Sequence, residues 1–334
     1  MPRIASLLPP AVARRHHLLE RLHREGTDTY RLLHGIAEGA PGVTVDRYGG
    51  VWLVQTFRGP LPAGEVEALQ QAANQALGLD LPVVCNHRGR PDPDAPAPHQ
   101  PTAEALAERV CHEAGVRLPF QARHRGQDPW LFLDLRAGRA VLRAAAAGQR
   151  VLNLFAYTCS AGVMAAAAGA TQVVNVDFAT SALAVGARAR DQNGIAAARC
   201  TLFESDCLPV LRQLAGQPVQ RRGKHVPYPR IEPQPFDRIV LDPPRFAKSP
   251  FGTVDVVRDY PSLWKPALLA LAPGGAILAT NHVPEVSAAD WHELLRRSAA
   301  KAGRPLRDLQ PIAPDADFPS FDGQPPLKMV WATV

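Results

Sequence analysis

Two aspartates, Asp177 and Asp242, each directly follow a short run of apolar residues, which places a carboxylate at the end of a predicted buried strand. Asp177 lies 24 residues after Asn153, close to the spacing of about 20 residues at which an acidic side chain accepts ribose hydroxyls. The stretch between them lacks the G-x-G-x-x-G that brings backbone against a pyrophosphate, and its turn region has only Gly162. The pattern favours a phosphate-free nucleoside such as S-adenosylmethionine (SAM) over NAD or FAD. An ordinary βαβ unit with a solvated Asp177 is the alternative.

The second aspartate opens the segment DPPRF at residues 242–246. Pro243 and Pro244 can neither continue a strand nor enter a helix interior, so they fix a rigid loop after the strand. A carboxylate beside a fixed carbonyl suits a flat substrate that carries N–H groups, and Phe246 could stack on its face. A plain proline turn that ends a strand is the alternative.

A parallel sheet would bring these residues together. Residues 151–155 and 173–176 have the composition of buried strands, and residues 161–168 between them that of a helix. Ligands of such sheets bind beyond the carboxyl ends of the strands, so the turn after Phe155 and the carboxylate of Asp177 should face one crevice. The candidate cofactor contacts along it are Asn153, Phe155, Tyr157, Thr158, Ser160, Asp177, Phe178 and Asp242.

The N-terminal part of the chain predicts a separate small domain. Residues 11–24 form a predicted helix with a basic face, and residues 43–57 and 109–120 form predicted hairpins around glycine turns. The sequence therefore predicts a small α+β domain over residues 1–120, a candidate RNA-binding module. An α/β, Rossmann-like domain that contains the predicted SAM crevice follows over residues 121–334.

Composition narrows the classes of partner and location. The 334 residues are 46% hydrophobic and 20% charged, which is typical of a globular chain long enough for two domains. No apolar run reaches the length of a membrane span, and no signal pattern opens the chain, so we expect a cytoplasmic protein. The five cysteines form no C-x-x-C pair and no metal-ligand spacing, so we expect free thiols and no metal. The sequence specifies no oligomeric state.

Basic charge permits a polyanionic partner without specifying one. The net charge is +6. A basic insertion over residues 216–235 also contains Tyr228, a combination that suits RNA phosphates and a stacked base. A solvated loop is the alternative and the favoured interpretation.

Six segments match a known family in the family's order. They are RLLHGIAEGAPGVTVDRYGG, LFLDLRAGR, VLNLFAYTCSAG, DQNGI, LDPPRF and LAPGGAILATN. With these segments the chain resembles the bacterial class I SAM-dependent rRNA methyltransferases that modify large-subunit RNA at cytosine C5 or guanine N7. The resemblance implies SAM as cofactor and large-subunit rRNA, or its precursor, as partner. There are two departures: Cys159 stands where the family usually has glycine, and the family's N-terminal RNA-binding PUA domain has no counterpart among these segments.

The resemblance also implies further site residues. The family's Phe-Leu-Asp-x-Arg stretch lines the SAM pocket, which makes Asp134 and Arg136 candidates, the arginine for the methionine carboxylate of SAM. A helix start with solvated arginines is the alternative. In the class I fold the end of the third strand meets the adenine, so Asp206 is expected to accept its amine and the Cys207 backbone N–H to face its ring.

The two branches of the family differ in chemistry at the late strand. C5 of cytosine has no lone pair, and the family's C5 enzymes first add a cysteine thiolate, carried by the strand after the PGG turn, to C6. That strand here, residues 276–282, has no cysteine, and none follows Cys207. Thr280-Asn281 resembles instead the guanine-N7 branch, whose target nitrogen has an in-plane lone pair. The residues expected to hold the base are Asp242, Pro243, Pro244, Phe246 and Asn281.

The sequence therefore predicts a SAM-dependent methyltransferase of large-subunit rRNA that acts at a ring nitrogen, guanine N7. Three alternatives remain open. They are cytosine-C5 methylation with a relocated thiol, a small-molecule methyltransferase, and a non-catalytic RNA-binding protein with a degenerate SAM fold, which Cys159 alone favours.

Overall fold

The computed structural model describes residues 4–90, 99–124, 128–219 and 227–334. The chain forms two compact units, Met1–Asp134 with Pro314–Pro325 and Leu135–Ala313 with Pro326–Val334. The first unit thus extends past the predicted boundary after residue 120 and includes a late segment of the chain. Within this unit the fully buried Asp317 accepts the backbone N–H of Arg31 at 3.0 Å, which ties the late segment to the first strand.

The first unit is built on a four-stranded sheet. Its helices and strands are α1 (Leu8–Arg14), α2 (His16–Arg24), β1 (Thr29–His34), β2 (Val43–Tyr48), β3 (Val51–Thr56), α3 (Ala63–Leu77), β4 (Val83–His87), α4 (Ala103–Leu106), β5 (Arg109–Glu113) and β6 (Val116–Phe120). The sheet order is β1-β2-β3-β4, and only β3 and β4 are parallel. The two predicted hairpins are confirmed as β2/β3 and β5/β6.

The helix predicted over residues 11–24 is two helices, α1 and α2, that meet at Arg15. Arg15 is only 2% exposed, and its guanidinium donates to the Glu38 carboxylate at 2.6 Å and to the Ala11 carbonyl at 3.0 Å. A buried charge is tolerated only when it is paired and hydrogen-bonded. The predicted basic face is therefore wrong at Arg15, which forms an internal ion pair.

The second unit contains the predicted α/β sheet. Its helices and strands are α5 (Arg136–Ala144), β7 (Arg150–Leu154), α6 (Ser160–Ala167), β8 (Gln172–Asp177), α7 (Thr180–Gln192), β9 (Cys200–Glu204), α8 (Cys207–Leu214), β10 (Phe236–Leu241), β11 (Phe246–Ser249), β12 (Gly252–Asp255), α9 (Pro261–Ala270), β13 (Leu271–Asn281), α10 (Ala288–Lys301), β14 (Asp308–Ile312) and β15 (Lys328–Thr333).

The strand order β14-β15-β13-β10-β7-β8-β9 explains where a ligand can bind. From β7 the chain proceeds outward to β8 and β9 and then returns to the other side of β7 as β10, all in parallel. The crevice of such a sheet lies where the order reverses, here between the carboxyl ends of β7 and β10. The Rossmann-like α/β prediction is confirmed. Among the described residues, no helix has both the length and the apolar character that a membrane span requires.

Candidate active site

The turn after β7 is an unusual piece of backbone. Phe155, Tyr157 and Cys159 have φ angles of 56°, 49° and 62°, in the left-handed region that side chains other than glycine rarely adopt. Such conformations persist only where surrounding contacts over-determine them, and they concentrate at functional sites. Here the Ala156 N–H donates to the Val176 carbonyl at 3.0 Å and so ties the turn to β8.

Asp177 is the main anchor of that turn. One of its carboxylate oxygens accepts the Tyr157 N–H and the other accepts the Ala179 N–H, each at 2.8 Å. The residue is 8% exposed and lies at the carboxyl end of β8, as predicted. A carboxylate has about four lone-pair sites, so two remain for the hydroxyls of a ribose. Asp177 therefore fits the SAM role and also holds the turn that would receive the cofactor.

Asn153 lies inside the sheet. It is 2% exposed, and its amide donates to the Asn175 carbonyl oxygen at 2.9 Å. Asn175, fully buried, donates in turn to the Thr201 carbonyl at 3.2 Å, so the pair links three neighbouring strands. A Cβ at Gly162 would overlap the Asn175 amide. Gly162 therefore allows α6 to pack closely over this amide pair. Asn153, a predicted cofactor contact, lies in the interior of the sheet and is paired there with Asn175.

Cys159, the departure from the family's glycine, has a structural explanation. The position has a left-handed φ, which glycine adopts at no steric cost. The cysteine fits because Gly186 of α7 lies opposite it: a Cβ there would lie 2.6 Å from the Cys159 sulfur. Thr158 beside it is 5% exposed, and Ser160 begins α6.

Asp206 and Cys207 have local partners at the end of β9. The Asp206 carboxylate accepts the Leu208 N–H at 2.7 Å and is the N-cap of α8. The Cys207 sulfur accepts the Phe155 N–H at 3.2 Å and donates to the Val176 carbonyl at 3.5 Å. The thiol therefore braces the turn after β7, a role that the sequence did not indicate.

The carboxyl ends of β10 and β13 meet at Asp242. The hydroxyl of Thr280 donates to the Asp242 carboxylate, and the Tyr260 hydroxyl donates to the Thr280 carbonyl at 3.0 Å. Thr280 and Tyr260 are at most 1% exposed, whereas Asp242 is half-buried. Pro243 and Pro244 follow as an irregular segment, and Phe246, 53% exposed, begins β11. The strand end thus holds a fixed carboxylate with an accessible aromatic ring four residues later.

Asn281 combines deep burial with an unused donor. Its side-chain oxygen accepts the Val283 N–H at 2.9 Å, whereas the amide nitrogen has no partner among the described residues, although Asn281 is 1% exposed. Opposite it in register, Lys328 of β15 donates to the Val283 carbonyl at 2.9 Å. Burial lowers the pKa of Lys328. Sequence reasoning missed this lysine, because only strand pairing places it beside Asn281.

Three further predicted SAM contacts, Asp134, Arg136 and Phe178, lie outside the turn after β7. Asp134 is in a short 3-10 helix at the end of the first unit, and Arg136 begins α5 in the second unit with 4% exposure. A solvated Arg136 is therefore wrong, and its contact with SAM stays a prediction. Phe178, directly after Asp177, is 68% exposed. The core of the basic insertion, residues 220–226, lies outside the described residues.

The cysteines are unsuited to act as nucleophiles. All five are free, and only Cys85 is more than 9% exposed. Burial raises the pKa of Cys159, Cys200 and Cys207, and it raises the pKa of Cys85 to about 11. Because the thiolate is the reactive form, these thiols are unreactive near neutral pH.

The described residues contain one group with the geometry of a metal site: His16, His17 and Glu20 on α2. All three are exposed, and they lie in the first unit. Exposed groups of this kind are common without a metal.

Curated relatives of the chain are rRNA-modifying proteins by name. The chain is 29% identical over 317 residues to a ribosomal RNA large subunit methyltransferase I of Shewanella amazonensis, covering 92% of this chain and 74% of the relative. It is 28% identical over 311 residues to the protein of that name from Aeromonas salmonicida, covering 89% and 72%.

Solved structures share the fold. SMU.776, described as a candidate methyltransferase and complexed with SAH, superimposes with a TM-score of 0.77 at 23% identity, covering 99% of this chain and 80% of that one. A SAM-dependent methyltransferase from Agrobacterium tumefaciens gives 0.63 at 19% identity, covering 92% and 90%. At these identities the likeness establishes the fold alone.

The family follows from a match that spans both units. Residues 30–331 match the model of S-adenosylmethionine-dependent methyltransferases. The strand order, the Asp177-anchored turn and the loop after β10 agree with that match. The chain therefore belongs to the S-adenosylmethionine-dependent methyltransferase family.

Proposed function

We propose that this protein methylates large-subunit rRNA at a ring nitrogen, guanine N7. The observation that carries the proposal is the set of side chains at the ends of β10 and β13: a fixed carboxylate, an unpaired amide donor and no thiol. The names of the curated relatives support the rRNA substrate and specify no atom.

The cofactor would be held between β7, β8 and β9. Asp177 has lone pairs left for the ribose hydroxyls, and the Asp206 carboxylate is available for the adenine amine. SAM supplies an electrophilic methyl group on a sulfonium. The chain's own task is then to position the acceptor in line, which can supply much of the rate acceleration.

The base would be held at the loop after β10. Asp242, fixed by Thr280, can accept N–H groups of guanine. The amide donor of Asn281 is unpaired but buried, so its predicted contact with the base requires the neighbouring strand end to open. Phe246 offers an exposed face for stacking. Guanine N7 has its own lone pair, so these residues need only orient the base, and no covalent intermediate is required. In folded RNA the base would be flipped out, at a cost of a few kcal/mol.

Cytosine C5 is the second candidate, because the family resemblance includes enzymes of both kinds. That reaction requires a thiolate near the base. The two cysteines nearest the crevice, Cys159 and Cys207, are at most 3% exposed, and burial raises the pKa of both. The non-catalytic alternative relied on Cys159, and that residue is accommodated by Gly186.

Nucleoside analysis of methylated RNA tests the proposal. Purified protein, SAM and large-subunit rRNA or its precursor particles should yield 7-methylguanosine, and RNA that contains 5-fluorocytosine should form no covalent adduct. Asp242→Ala should lower the rate about 10- to 100-fold, the worth of a hydrogen bond to a charged group. Single Cys→Ser variants should retain most of the activity.

Two other outcomes would contradict the proposal. Formation of 5-methylcytidine, or a covalent adduct with one indispensable cysteine, would assign the C5 reaction instead. Methylation of a small molecule with no activity on any rRNA would remove the rRNA proposal.

A further inference from the structure

A cleft of about 290 Å³ lies in the first unit. It is lined by side chains of β3 and β4, by Arg88, and by residues 122–124 and 128–129. Small-ligand clefts have volumes of roughly 300–1,000 Å³, so this one is of a size for a single small group such as one nucleotide. None of these residues is among the predicted contacts of SAM or of the target base.

Gln55 is the most informative residue of this lining. It is 4% exposed and lies on β3, with its backbone paired to β2 and β4. Within the described part of the chain its side-chain amide has no hydrogen-bond partner, although it lines the cleft. The amide atoms face the open cleft, where they are accessible to water or to a ligand. An amide presents a donor and an acceptor side by side, as the edge of a nucleobase requires.

A fixed arginine, Arg123, lines the same cleft. Arg123 donates through Nε to the Asn86 side-chain oxygen at 3.1 Å and through one terminal nitrogen to the Cys85 carbonyl at 2.9 Å. Arginine has five N–H donors, so three remain for a ligand. Because Arg123 is exposed, these donors can reach a phosphate.

The lining also contains an ion pair, Arg88 with Asp128, and has the aromatic ring of Phe57 next to it. Arg88 pairs with Asp128 at 2.5 Å, whereas the described partners of Arg123 are uncharged. The Arg88 guanidinium also lies 5.7 Å from the ring centre of Phe57, which is 44% exposed. An accessible ring next to a basic cleft is a platform for a stacked base.

We propose that this cleft binds one nucleotide of single-stranded RNA, with Gln55 at the edge of the base and Arg123 at the adjacent phosphate. The proposal rests on the proposed rRNA substrate and deepens it. Single-stranded RNA is favoured over a duplex because the base edges of an A-form helix are paired and not free to enter a cleft of this size. Inorganic phosphate alone would occupy Arg123 and leave Gln55 without a partner.

Binding by the full-length chain tests this site. The probe is a fluorescent 12-nucleotide single-stranded RNA of mixed sequence, measured by anisotropy at several salt concentrations. Arg123→Ala should weaken binding about tenfold and reduce the slope of log affinity against log salt by about 0.7, the share of one phosphate contact. Gln55→Leu should weaken binding several-fold without changing that slope, because it removes no charge.

Matched controls exclude a general effect. Arg296→Ala removes an exposed arginine of α10 that does not line the cleft, and it should change affinity less than twofold. The thermal midpoint of Gln55→Leu should stay close to that of wild type, because the amide faces the cleft and makes no hydrogen bond within the described part of the chain. Gln55→Glu adds a negative charge near the phosphate and should bind more weakly than either Gln55→Leu or wild type.

The outcomes separate this proposal from the proposed function. The proposed nucleotide site is wrong, even if rRNA is methylated, if wild type, Arg123→Ala and Gln55→Leu bind RNA equally well. It is also wrong if the annealed duplex binds as tightly as the single strand. Competition by inorganic phosphate that is as strong as competition by a mononucleotide also overturns it. If RNA binding depends on both residues while no rRNA is methylated, the nucleotide site is supported and the proposed function is wrong.

Discussion

Asp206 shows how one side chain can have a structural and a ligand-binding role at the same position. It is the N-cap of α8, and it is also the predicted adenine contact. Serine is a good N-cap but is shorter and uncharged. Asp206→Ser should therefore leave the free energy of unfolding nearly unchanged and lower SAM affinity about tenfold. Asp206→Ala should show the same affinity loss and lose about 1 kcal/mol of stability as well.

Calorimetric titration with SAM and urea unfolding of the two variants provide the measurement. Wild-type SAM affinity in Asp206→Ser would show that the residue is only a cap.

His34 predicts a pH dependence of stability in the first unit. Burial, and then the positive charge of Arg31, lower its pKa to about 4. Its Nδ1 lies 2.9 Å from the Arg31 guanidinium and must accept that hydrogen bond, and its backbone N–H donates to Glu38. In the unfolded chain His34 becomes protonated below about pH 6.5. In the folded protein it becomes protonated only below about pH 4, so the unfolded state binds more protons between these values. Stability should fall as the pH decreases through this interval, by at most about 1.4 kcal/mol per pH unit.

Urea unfolding at several pH values checks this sign. His34→Gln should flatten the dependence between pH 6.5 and 4, whereas His17→Gln, whose side chain is 99% exposed, should leave it unchanged. Parallel curves for wild type and His34→Gln would refute the assignment.

At the scale of elements, the close approach of α6 to β8 depends on Gly162. A Cβ at this position would overlap the amide of the buried Asn175. Gly162→Ala should cost about 1–3 kcal/mol, as overpacking of a core does, and should weaken SAM binding because α6 follows the cofactor turn. Gly64→Ala is the matched control: this glycine is also helical, in α3, with nothing within 4 Å of an added Cβ.

The control substitution should be neutral or stabilising by up to about 0.5 kcal/mol, because alanine favours the helix. Thermal unfolding and SAM titration of both variants decide the point. Equal stabilities would mean that α6 moves away from β8 at little cost.

At the scale of the whole molecule, net charge governs the response to salt. The chain carries +6, and an RNA partner held through phosphates must release counterions on binding. RNA affinity should therefore fall about tenfold or more between 50 and 200 mM salt. SAM affinity should change little, because its main predicted anchor, Asp177, is 8% exposed and weakly screened. Anisotropy and calorimetry over the same salt series compare the two, and a salt-independent RNA interaction would contradict the phosphate-based proposal.

Local sequence was sufficient for the parts of the site that follow directly on buried strands. The runs before Asp177 and Asp242 are apolar enough to be central parallel strands, and in a sheet of this topology their carboxyl ends meet. The glycines and prolines at strand ends limited where each strand could stop. For these reasons the α/β class and the position of both aspartates could be predicted, whereas the SAM family was predicted from the six matching segments.

Side-chain contacts between elements could not be predicted, because they depend on register and on packing between distant segments. Asn153 lies at the predicted crevice in sequence but is paired with Asn175 inside the sheet. Arg15, one of several arginines in a basic helix, is the one buried against Glu38. Lys328 lies beside Asn281 only because β15 pairs antiparallel with β13 in that register.

The sequence by itself determined the elements, the fold class and the residues able to bind a nucleoside, since those depend on local periodicity and on residue type. Only the tertiary structure decided which polar groups are already paired and which remain available. Asp177 has both carboxylate oxygens in backbone bonds, Asn281 retains an unused donor, and the Gln55 amide lines a cleft. The physical reason is that pairing satisfies a buried polar group through whatever segment lies opposite, and that segment is set by the folded sheet and not by neighbours in sequence.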